Sequence, residues 1–425
     1  MEWTPKDWRK HAEEFPRFLE PFAKPMGRSE RREGAALYIE GLLLPGERKS
    51  IEPMAERLGV DSQKLQQLVT DSPWEAEAVW RVIRREFPVH LEPLSAWIVD
   101  ETGWLKQGEH SVGVGHQYCG AEGKSANCQV NVQIAVTDGE AAIPVAARLY
   151  LPEKWTNDPP RCQAAGVPPE VKFATKPQIA LALIGEALAD GVTPAPVLGD
   201  AAYGCNGPFR EGLREKGLEF FLQVDAQSLL GWARAVALER KRTLWHVRAD
   251  QPKPTPLAQL WAERKDPDWQ RCSWKAADGQ TRRTRLGWME VYLPGTLERG
   301  ADHLEKVWLV VDWPEGATQP YHYYLAHLHG PPQKARCLRL SRSRWNIEQY
   351  FQRAKTDLGL DHYEGRSWRG FHHHLLLAVL AYLFVTVVHL RVKKNFWCDL
   401  GTDTDPYAAL LAALDRILPL LRKEI

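Results

Sequence analysis

A change of hydrophobic periodicity near residue 90 constrains the fold of this chain more than any other feature. Upstream, apolar residues recur at helical spacing, in runs such as REGAALYIEGLLL. From about Leu91 they alternate instead: in SAWIVDETGWL, Ile98 and Asp100 fall on one face of a strand, and Trp97 and Val99 on the other. Further patterns follow in the order βββ-α-β-α-β. We therefore expect a multidomain α+β protein, in which a helical N-terminal part precedes a sheet flanked by helices.

Composition excludes several classes of protein. Apolar residues make up 44% of the 425 residues and charged residues 26%, which is an ordinary globular composition. The net charge of +1 predicts no global attraction to nucleic acid, although Lys334 to Arg344 holds five cations and no anion. Seven cysteines form no CxxC pair, which disfavours a paired-cysteine zinc site and favours a reduced, cytoplasmic compartment. The apolar run from Leu375 to Leu390 is short for a bilayer, so we expect a buried helix and no membrane.

A helix-turn-helix pattern lies within the N-terminal part. Met54 to Leu58 predicts a short helix that Gly59 ends, and Asp61 or Ser62 can cap a second helix that runs to about Thr70. This is the shape of a DNA-binding helix pair. A packing bundle is the alternative, in which the polar side chains of the second helix face water rather than a DNA groove; they are Gln63, Lys64, Gln66 and Gln67.

Two aspartates end short apolar runs, Asp100 in IVDETGW and Asp200 in VLGDAAYG. If their strands are neighbours, both carboxylates emerge at one edge of the sheet. They then repel each other unless a cation lies between them. Such oxygen-rich sites suit Mg²⁺ or Mn²⁺. Taken singly, each aspartate is equally typical of a helix cap or a turn.

A polar stripe follows in RWNIEQYFQRAK. Arg344, Glu348, Gln352 and Lys355 step along one face of a predicted helix at spacings of four, four and three. One interpretation is a solvated face with i,i+4 ion pairs. The other is a glutamate that binds metal, flanked by cations that bind phosphate. Together with the two aspartates, Glu348 would complete a site for two ions that catalyse phosphoryl transfer.

These three blocks resemble those of DDE transposases on the RNase H-like fold. VLGDAAYG resembles the second-Asp block, and RWNIEQYFQRAK resembles the Glu block of the insertion-sequence branch that carries the YREK signature. Arg344, Glu348 and Lys355 match its Arg, Glu and Lys, while Ser341 stands at its Tyr. Taken whole, the chain most resembles the IS701 family of bacterial transposases.

The resemblance implies cut-and-paste DNA transposition. Asp100 and Asp200 would share one Mg²⁺ or Mn²⁺ ion and Glu348 would hold a second. Activated water would hydrolyse the transposon end, and the freed 3′-hydroxyl would attack target DNA. The double-stranded ends and the target would be the partners, bound by a homodimer at the bacterial nucleoid. The predicted DNA contacts are Arg344, Lys355, Tyr203, Arg342, Gln352, Lys64 and Gln67. Tyr203 is equally suited to packing in the core.

The resemblance also implies a division into segments. We expect a helical DNA-binding domain at residues 1–90, an RNase H-like core at 91–224 and 331–400, a β-rich insertion at 225–330 and a C-terminal helix at 401–425. In the insertion, Trp288 and Trp308 suit either base stacking or a local core. His372, His373 and His374 suggest a metal cluster, but consecutive residues on a helix point in different directions. The alternative functions are a DNA-binding protein without cleavage and an RNase H-like metal nuclease.

Overall fold

The N-terminal part is helical, as predicted. The computed structural model describes residues 14–395 apart from 121, 266, 277 and 278, and describes no side chains at 298–299 and 391–395. The predicted C-terminal helix at 401–425 lies outside the described residues. The first helices are α1 (Glu14–Leu19), α2 (Ala23–Met26), α3 (Ser29–Leu43), α4 (Ile51–Leu58), α5 (Ser62–Thr70) and α6 (Ala76–Glu86), with 3₁₀ turns at Glu20–Phe22 and Pro88–Leu91.

The chain then enters one large mixed sheet flanked by helices. Its first half contains β1 (Ala96–Leu105), β2 (Gly115–Cys119), β3 (Lys124–Thr137), β4 (Ala142–Leu149), α7 (Glu153–Thr156), α8 (Pro159–Ala164), α9 (Lys176–Ala189), β5 (Val197–Gly199), α10 (Ala201–Gly204), α11 (Gly207–Glu215) and β6 (Phe220–Val224). Strands β1, β2 and β4 pair antiparallel with β3, whereas β5 pairs parallel with both β1 and β6. Helices pack on this half of the sheet, α9 against β3 and β4, and the later helix Trp345–Thr356 against β1 and β4.

The predicted β-rich insertion extends this same sheet. It contains β7 (Leu230–Gly231), β8 (Leu238–Lys241), β9 (Leu244–Val247), β10 (Thr255–Pro256), α12 (Leu257–Ala262), β11 (Gln270–Lys275), β12 (Thr281–Leu293), a 3₁₀ turn at Pro294–Arg299, β13 (Glu305–Pro314) and β14 (His322–His327). The strand order is β11-β12-β13-β14-β6-β5-β1-β3-β2, because β14 pairs antiparallel with β6. The segment is β-rich as expected, and its longest strands continue the sheet that carries Asp100.

Three helices complete the described chain: α13 (Lys334–Ser343), α14 (Trp345–Thr356) and α15 (Trp368–Asn395). By length and composition, Trp368–Leu390 of α15 is apolar enough to cross a membrane, but 94% of its most apolar window is buried inside the protein. It packs against α3, α5 and α6 of the N-terminal part and against β4. The predicted buried helix is confirmed, and it joins the N-terminal helices to the sheet.

Candidate acidic active site

Asp100 and Asp200 lie level with each other on neighbouring strands. In the parallel pair β1–β5, Trp97 is opposite Val197 and Ile98 is opposite Leu198. Continuing this register by two residues brings Asp100 opposite Asp200. Asp100 lies in the middle of β1 rather than at its end, which corrects the sequence-based placement, because β1 pairs with β3 over its whole length. Asp200 directly follows β5 as expected, and its side chain also caps α10 by accepting from the Ala202 amide at 2.9 Å.

Arg344 lies between the first aspartate and the glutamate. Its Nη1 donates to Oδ2 of Asp100 at 3.2 Å, and its Nη2 donates to Oε1 of Glu348. The second contact is the i,i+4 pair that the helical stripe predicts. The first joins the stripe to β1. The side chains are 13%, 26% and 32% exposed for Asp100, Arg344 and Glu348. The stripe therefore lies partly against the sheet, while its i,i+4 ion pair is present as predicted.

The carboxyl group of Asp100 has an unusual pKa for an aspartate beside an arginine. Burial raises its pKa from 3.8 to about 7; the Arg344 guanidinium opposes this rise, and the charge of Asp200 adds to it. A hydrogen bond accepted from the Glu101 amide at 2.8 Å also opposes the rise. Desolvation therefore outweighs the single positive neighbour. A further cation at this carboxyl would stabilise its ionised form.

Lys355 and Gln352 occupy different environments on α14. Lys355 is half-buried, and its Nζ donates to the Gly103 carbonyl of β1 at 2.8 Å, while burial lowers the pKa of its ammonium group. Gln352 is exposed. Lys355 is thus held against the strand that carries Asp100, and its phosphate contact stays a prediction, as does a DNA contact by Gln352.

Packing explains the last two residues of the second-Asp block, Tyr203 and Gly204. A Cβ on Gly204 would lie 1.9 Å from the Gln223 carbonyl of β6, so only glycine fits there. Tyr203 is 1% exposed, and its ring centroid lies 5.3 Å from that of Phe209. Burial and the carboxylates of Glu101, Asp100 and Asp200 raise the pKa of its hydroxyl. The DNA-contact prediction for Tyr203 is therefore corrected to a packing role beneath the two aspartates.

The cation-rich segment is largely neutralised by acids from the sheet. Arg342 donates to Asp312 at 2.7 Å and its guanidinium lies 4.1 Å from the centre of the Trp274 ring. Asp312 is fully buried and also accepts from Thr284. Arg336 pairs with Glu219 in the same way. The charge of Arg342 thus compensates a buried carboxylate, and a DNA contact by Arg342 stays a prediction.

The helix-turn-helix geometry is present as predicted. Helix α4 ends at Gly59, which has a φ of 62°, and Asp61 caps α5 by accepting from the Gln63 amide at 2.9 Å. Lys64 and Gln67 are exposed, while the opposite face of α5 is buried. The exposed face is free to meet DNA, and the two contacts stay predictions.

The three consecutive histidines contact different parts of the protein, so they are not arranged around one metal ion. His372 lies against Leu149 of β4, and the ring of His373 stacks on Trp74 with centroids 3.7 Å apart. His374 contacts the Tyr38 hydroxyl at 2.8 Å. Burial lowers their pKa values to about 4, 4 and 3, so all three are neutral near pH 7. Through these side chains, α15 contacts β4, Trp74 and Tyr38.

Trp288 and Trp308 of the insertion line a cavity of about 400 Å³. Trp288 and Trp308 lie on the adjacent strands β12 and β13, and Arg264 donates to the Trp288 carbonyl at 2.5 Å. Both indoles are half-buried. They are therefore accessible from this cavity, and base stacking by them stays a prediction.

Sequence reasoning missed two side chains beside the site. Glu101 pairs with Lys176 at the start of α9, on the opposite face of β1 from Asp100. Trp345, next to Arg344 in the sequence, is 56% exposed at the start of α14. The adjacency of Glu101 to Asp100 was the available signal, but alternation along the strand directs the two carboxylates to opposite faces.

The donor set at the site suits a hard divalent cation. Asp100 and Asp200 present carboxylates on adjacent strands, and the raised pKa of Asp100 marks a charge that a cation would stabilise. Glu348 is held by Arg344. Within the described residues, no group of three or more His, Cys, Asp or Glu side chains is arranged as a ready metal site. The pair of aspartates therefore fits a cation directly. The carboxylate of Glu348 is instead paired with Arg344, which also contacts Asp100.

Sequence comparison assigns the class of protein. This chain belongs to the DDE superfamily endonucleases, whose family model matches residues 21–284, more than half of the chain. The match includes Asp100 and Asp200 and ends before Glu348.

A similar curated protein is described as a probable transposase for insertion sequence element IS701 of Microchaete diplosiphon. It is 31% identical over 182 residues, which are 42% of this chain and 44% of that protein. This chain thus matches less than half the length of that relative. Among solved structures, the piggyBac transposase synaptic complex with hairpin DNA superimposes with a TM-score of 0.44 and 8% identity, over 94% of this chain and 73% of that one. So distant a likeness carries no functional inference.

Proposed function

We propose that this chain is a cut-and-paste DNA transposase that cleaves the ends of its element and joins them to target DNA. The observation that carries the proposal is the contact of Arg344 with both Asp100 and Glu348, at the level where Asp200 leaves β5. Membership of the DDE superfamily endonucleases and similarity to an IS701 transposase support it.

In this proposal, residues 91–224 and 331–400 form an RNase H-like core. The antiparallel group β1, β3 and β4, joined by the parallel strands β5 and β6, supports that assignment. Residues 225–330 interrupt the core in sequence and extend its sheet. Residues 1–90 form the DNA-binding domain. The working form is a homodimer on double-stranded DNA in the bacterial cytoplasm.

Asp100 and Asp200 would hold one Mg²⁺ or Mn²⁺ ion, and Glu348 would hold a second in place of its contact with Arg344. Two such ions supply Lewis-acid stabilisation of the attacking and leaving oxygens of an in-line phosphoryl displacement. Arg344 would then be available to a backbone phosphate. Before cations enter, Arg344 is the positive charge that contacts Asp100 and Glu348.

The DNA contacts of the proposed function are made by side chains near the carboxylates and on α5. Lys355, fixed on the Gly103 carbonyl, presents a positive charge beside β1 where a phosphate would pass. Lys64 and Gln67 on α5 would read or position the transposon end. Such phosphate contacts orient the duplex without specifying its sequence.

The test is incubation of the purified chain with Mg²⁺ and duplex DNA that carries the sequences flanking its gene. We expect cleavage at the element ends, loss of cleavage in excess chelator and recovery with Mn²⁺. Binding without cleavage in either metal would identify a DNA-binding protein instead. Cleavage of an RNA–DNA hybrid in preference to this duplex would identify an RNase H-like nuclease.

A further inference from the structure

Three amide side chains lie in the core beneath α14. Gln129, Asn131 and Gln133 of β3 are each 0% exposed. They stand opposite alternate residues of β1, and Gln133 is directly opposite Asp100. Directly opposed residues of an antiparallel pair point to the same face, so Gln133 shares the face of Asp100. Burying polar groups costs free energy unless each finds a partner, which makes an amide row here unlike ordinary packing.

Two of these amides, Gln133 and Asn131, form a directed chain of hydrogen bonds between α14 and β1. The Tyr350 hydroxyl of α14 donates to Oε1 of Gln133 at 2.9 Å, and Nε2 of Gln133 donates to Oδ1 of Asn131 at 2.6 Å. Nδ2 of Asn131 donates to the Thr102 carbonyl of β1 at 3.2 Å. Tyr350 follows Glu348 by two residues and Thr102 follows Asp100 by two. The chain of bonds thus begins beside one catalytic candidate and ends beside another.

A second bond fixes the same helix on the other side of Glu348. Nδ2 of Asn346 donates to Oγ1 of Thr137 on β3 at 2.8 Å, and both residues are buried. Asn346 and Tyr350 are four residues apart, so they lie on one face of α14, with Glu348 between them in sequence. Apolar contacts are non-directional and tolerate sliding, whereas these bonds hold only at one register of the helix along the sheet.

We propose that Tyr350, Gln133 and Asn131 are positioning residues that fix the register of α14 along β1, and so the place of Glu348 relative to Asp100. The inference rests on the proposed function, since it concerns how the two carboxylates meet their cations. It assigns a role to polar residues that neither touch substrate nor serve the core better than apolar ones would. Tyr350→Phe and Gln133→Met break the relay while nearly preserving volume.

Tyr382→Phe is the matched control. Its hydroxyl is also buried and donates to the Ala142 carbonyl at 3.0 Å, and its ring lies 4.6 Å from that of Tyr350. Mn²⁺ binding to the DNA-free proteins is followed by the electron paramagnetic resonance signal of free Mn²⁺. Mn²⁺ binding is assigned to this site if the Asp200→Asn substitution removes it. Cleavage of the end duplex is measured in parallel over a Mn²⁺ series, with thermal unfolding and DNA affinity.

We expect Tyr350→Phe and Gln133→Met each to raise the half-saturating Mn²⁺ concentration about ten-fold, in binding and in cleavage, as loss of outer-shell support does at metal sites. DNA affinity should not change. The double variant should be no worse than Gln133→Met alone, because both changes remove the Tyr350–Gln133 bond and Gln133→Met also removes the bond to Asn131. Tyr382→Phe should lose thermal stability without any change in Mn²⁺ binding.

Equal Mn²⁺ binding by parent, Tyr350→Phe and Gln133→Met would overturn the inference and leave the proposed function standing. The same holds if Tyr382→Phe raises the Mn²⁺ requirement as much as Tyr350→Phe does, since loss of stability would then be the cause. A parent protein that neither binds Mn²⁺ at Asp200 nor cleaves would overturn the proposed function, and this inference with it.

Discussion

The Nη1 atom of Arg344 lies 3.2 Å from Oδ2 of Asp100, across 244 residues of sequence. This contact joins the start of α14 to β1, the strand that carries Asp100. Even with the guanidinium in place, burial holds the pKa of Asp100 at about 7. The site is therefore poised near neutral pH between a protonated form and an ionised form that attracts cations.

Asp100→Asn should stabilise the metal-free protein at pH 8. The parent carboxyl binds its proton up to about pH 7 when folded but only to about pH 4 when unfolded, so the parent loses stability as pH rises through that window. The full pKa shift of Asp100 corresponds to about 4 kcal/mol of unfolding free energy. Because the buried amide of the asparagine still costs free energy to desolvate, we expect Asp100→Asn to be more stable than the parent by on the order of 2 kcal/mol.

Urea unfolding in chelator, at pH 4 and pH 8, checks this. The stability of Asp100→Asn relative to the parent should fall by about 4 kcal/mol from pH 8 to pH 4, because the buried carboxyl is protonated at pH 4 and the parent no longer bears the cost of ionising it. A variant that is less stable than the parent at pH 8 would show that the Arg344 contact outweighs the desolvation of Asp100.

Arg342→Ala should destabilise the fold without weakening DNA binding. It leaves the carboxylate of Asp312 buried without the guanidinium, while the Thr284 hydroxyl still donates to it. Breaking a buried ion pair costs about 3–5 kcal/mol, and since Arg342 is partly exposed we expect about 2–3. Arg339→Ala, an exposed arginine of the same helix, should change stability by less than about 0.5 kcal/mol. A stable Arg342→Ala protein with weakened DNA binding would restore the DNA contact predicted from sequence.

Local features could be predicted from the sequence because their causes are local. Gly59 ends α4 by adopting a left-handed backbone, and Asp61 caps α5 two residues before the amide that it accepts from. The spacing of Arg344 and Glu348 likewise predicted their ion pair. These interactions depend on neighbours within one helical turn.

Features that depend on distant partners could not be predicted in the same way. The run of cations before Arg344 suggests a DNA surface. However, Asp312 of β13 and Glu219, directly before β6, pair with two of its arginines. Asp100 was placed at a strand end because apolar alternation stops there, whereas pairing with β3 carries β1 on to Leu105. Tyr203 could pack or stack, and only the positions of its neighbours decide.

Lys64→Ala combined with Gln67→Ala should weaken binding to the element ends with little effect on stability, because both side chains are exposed on α5. Deleting the whole N-terminal part is a poorer test, since α3, α5 and α6 cover α15. Gel-shift titration against end and scrambled duplexes checks this. Lys154→Ala with Gln163→Ala, an exposed pair elsewhere, is the control. Equal end binding by both double variants would place recognition outside α5.

Lys355→Ala should weaken DNA binding and reduce the slope of log affinity against log salt by roughly one. It should also cost about 1 kcal/mol of stability, since the Gly103 carbonyl loses its donor. Lys172→Ala is the control, because that exposed lysine also donates to a backbone carbonyl, that of Pro169. If both variants keep the parental salt slope, Lys355 serves only to hold α14 against β1.

Single-turnover cleavage of the element-end duplex by Glu348→Gln tests the central claim most directly. The variant keeps the shape of the side chain but loses the charge that would hold a cation. Duplex binding should therefore persist while cleavage in saturating Mg²⁺ falls by several orders of magnitude. Glu364→Gln, which changes an acid paired with Arg48 at the surface, should cleave like the parent. Parental cleavage by Glu348→Gln would contradict the account, because the site would then work without its third carboxylate.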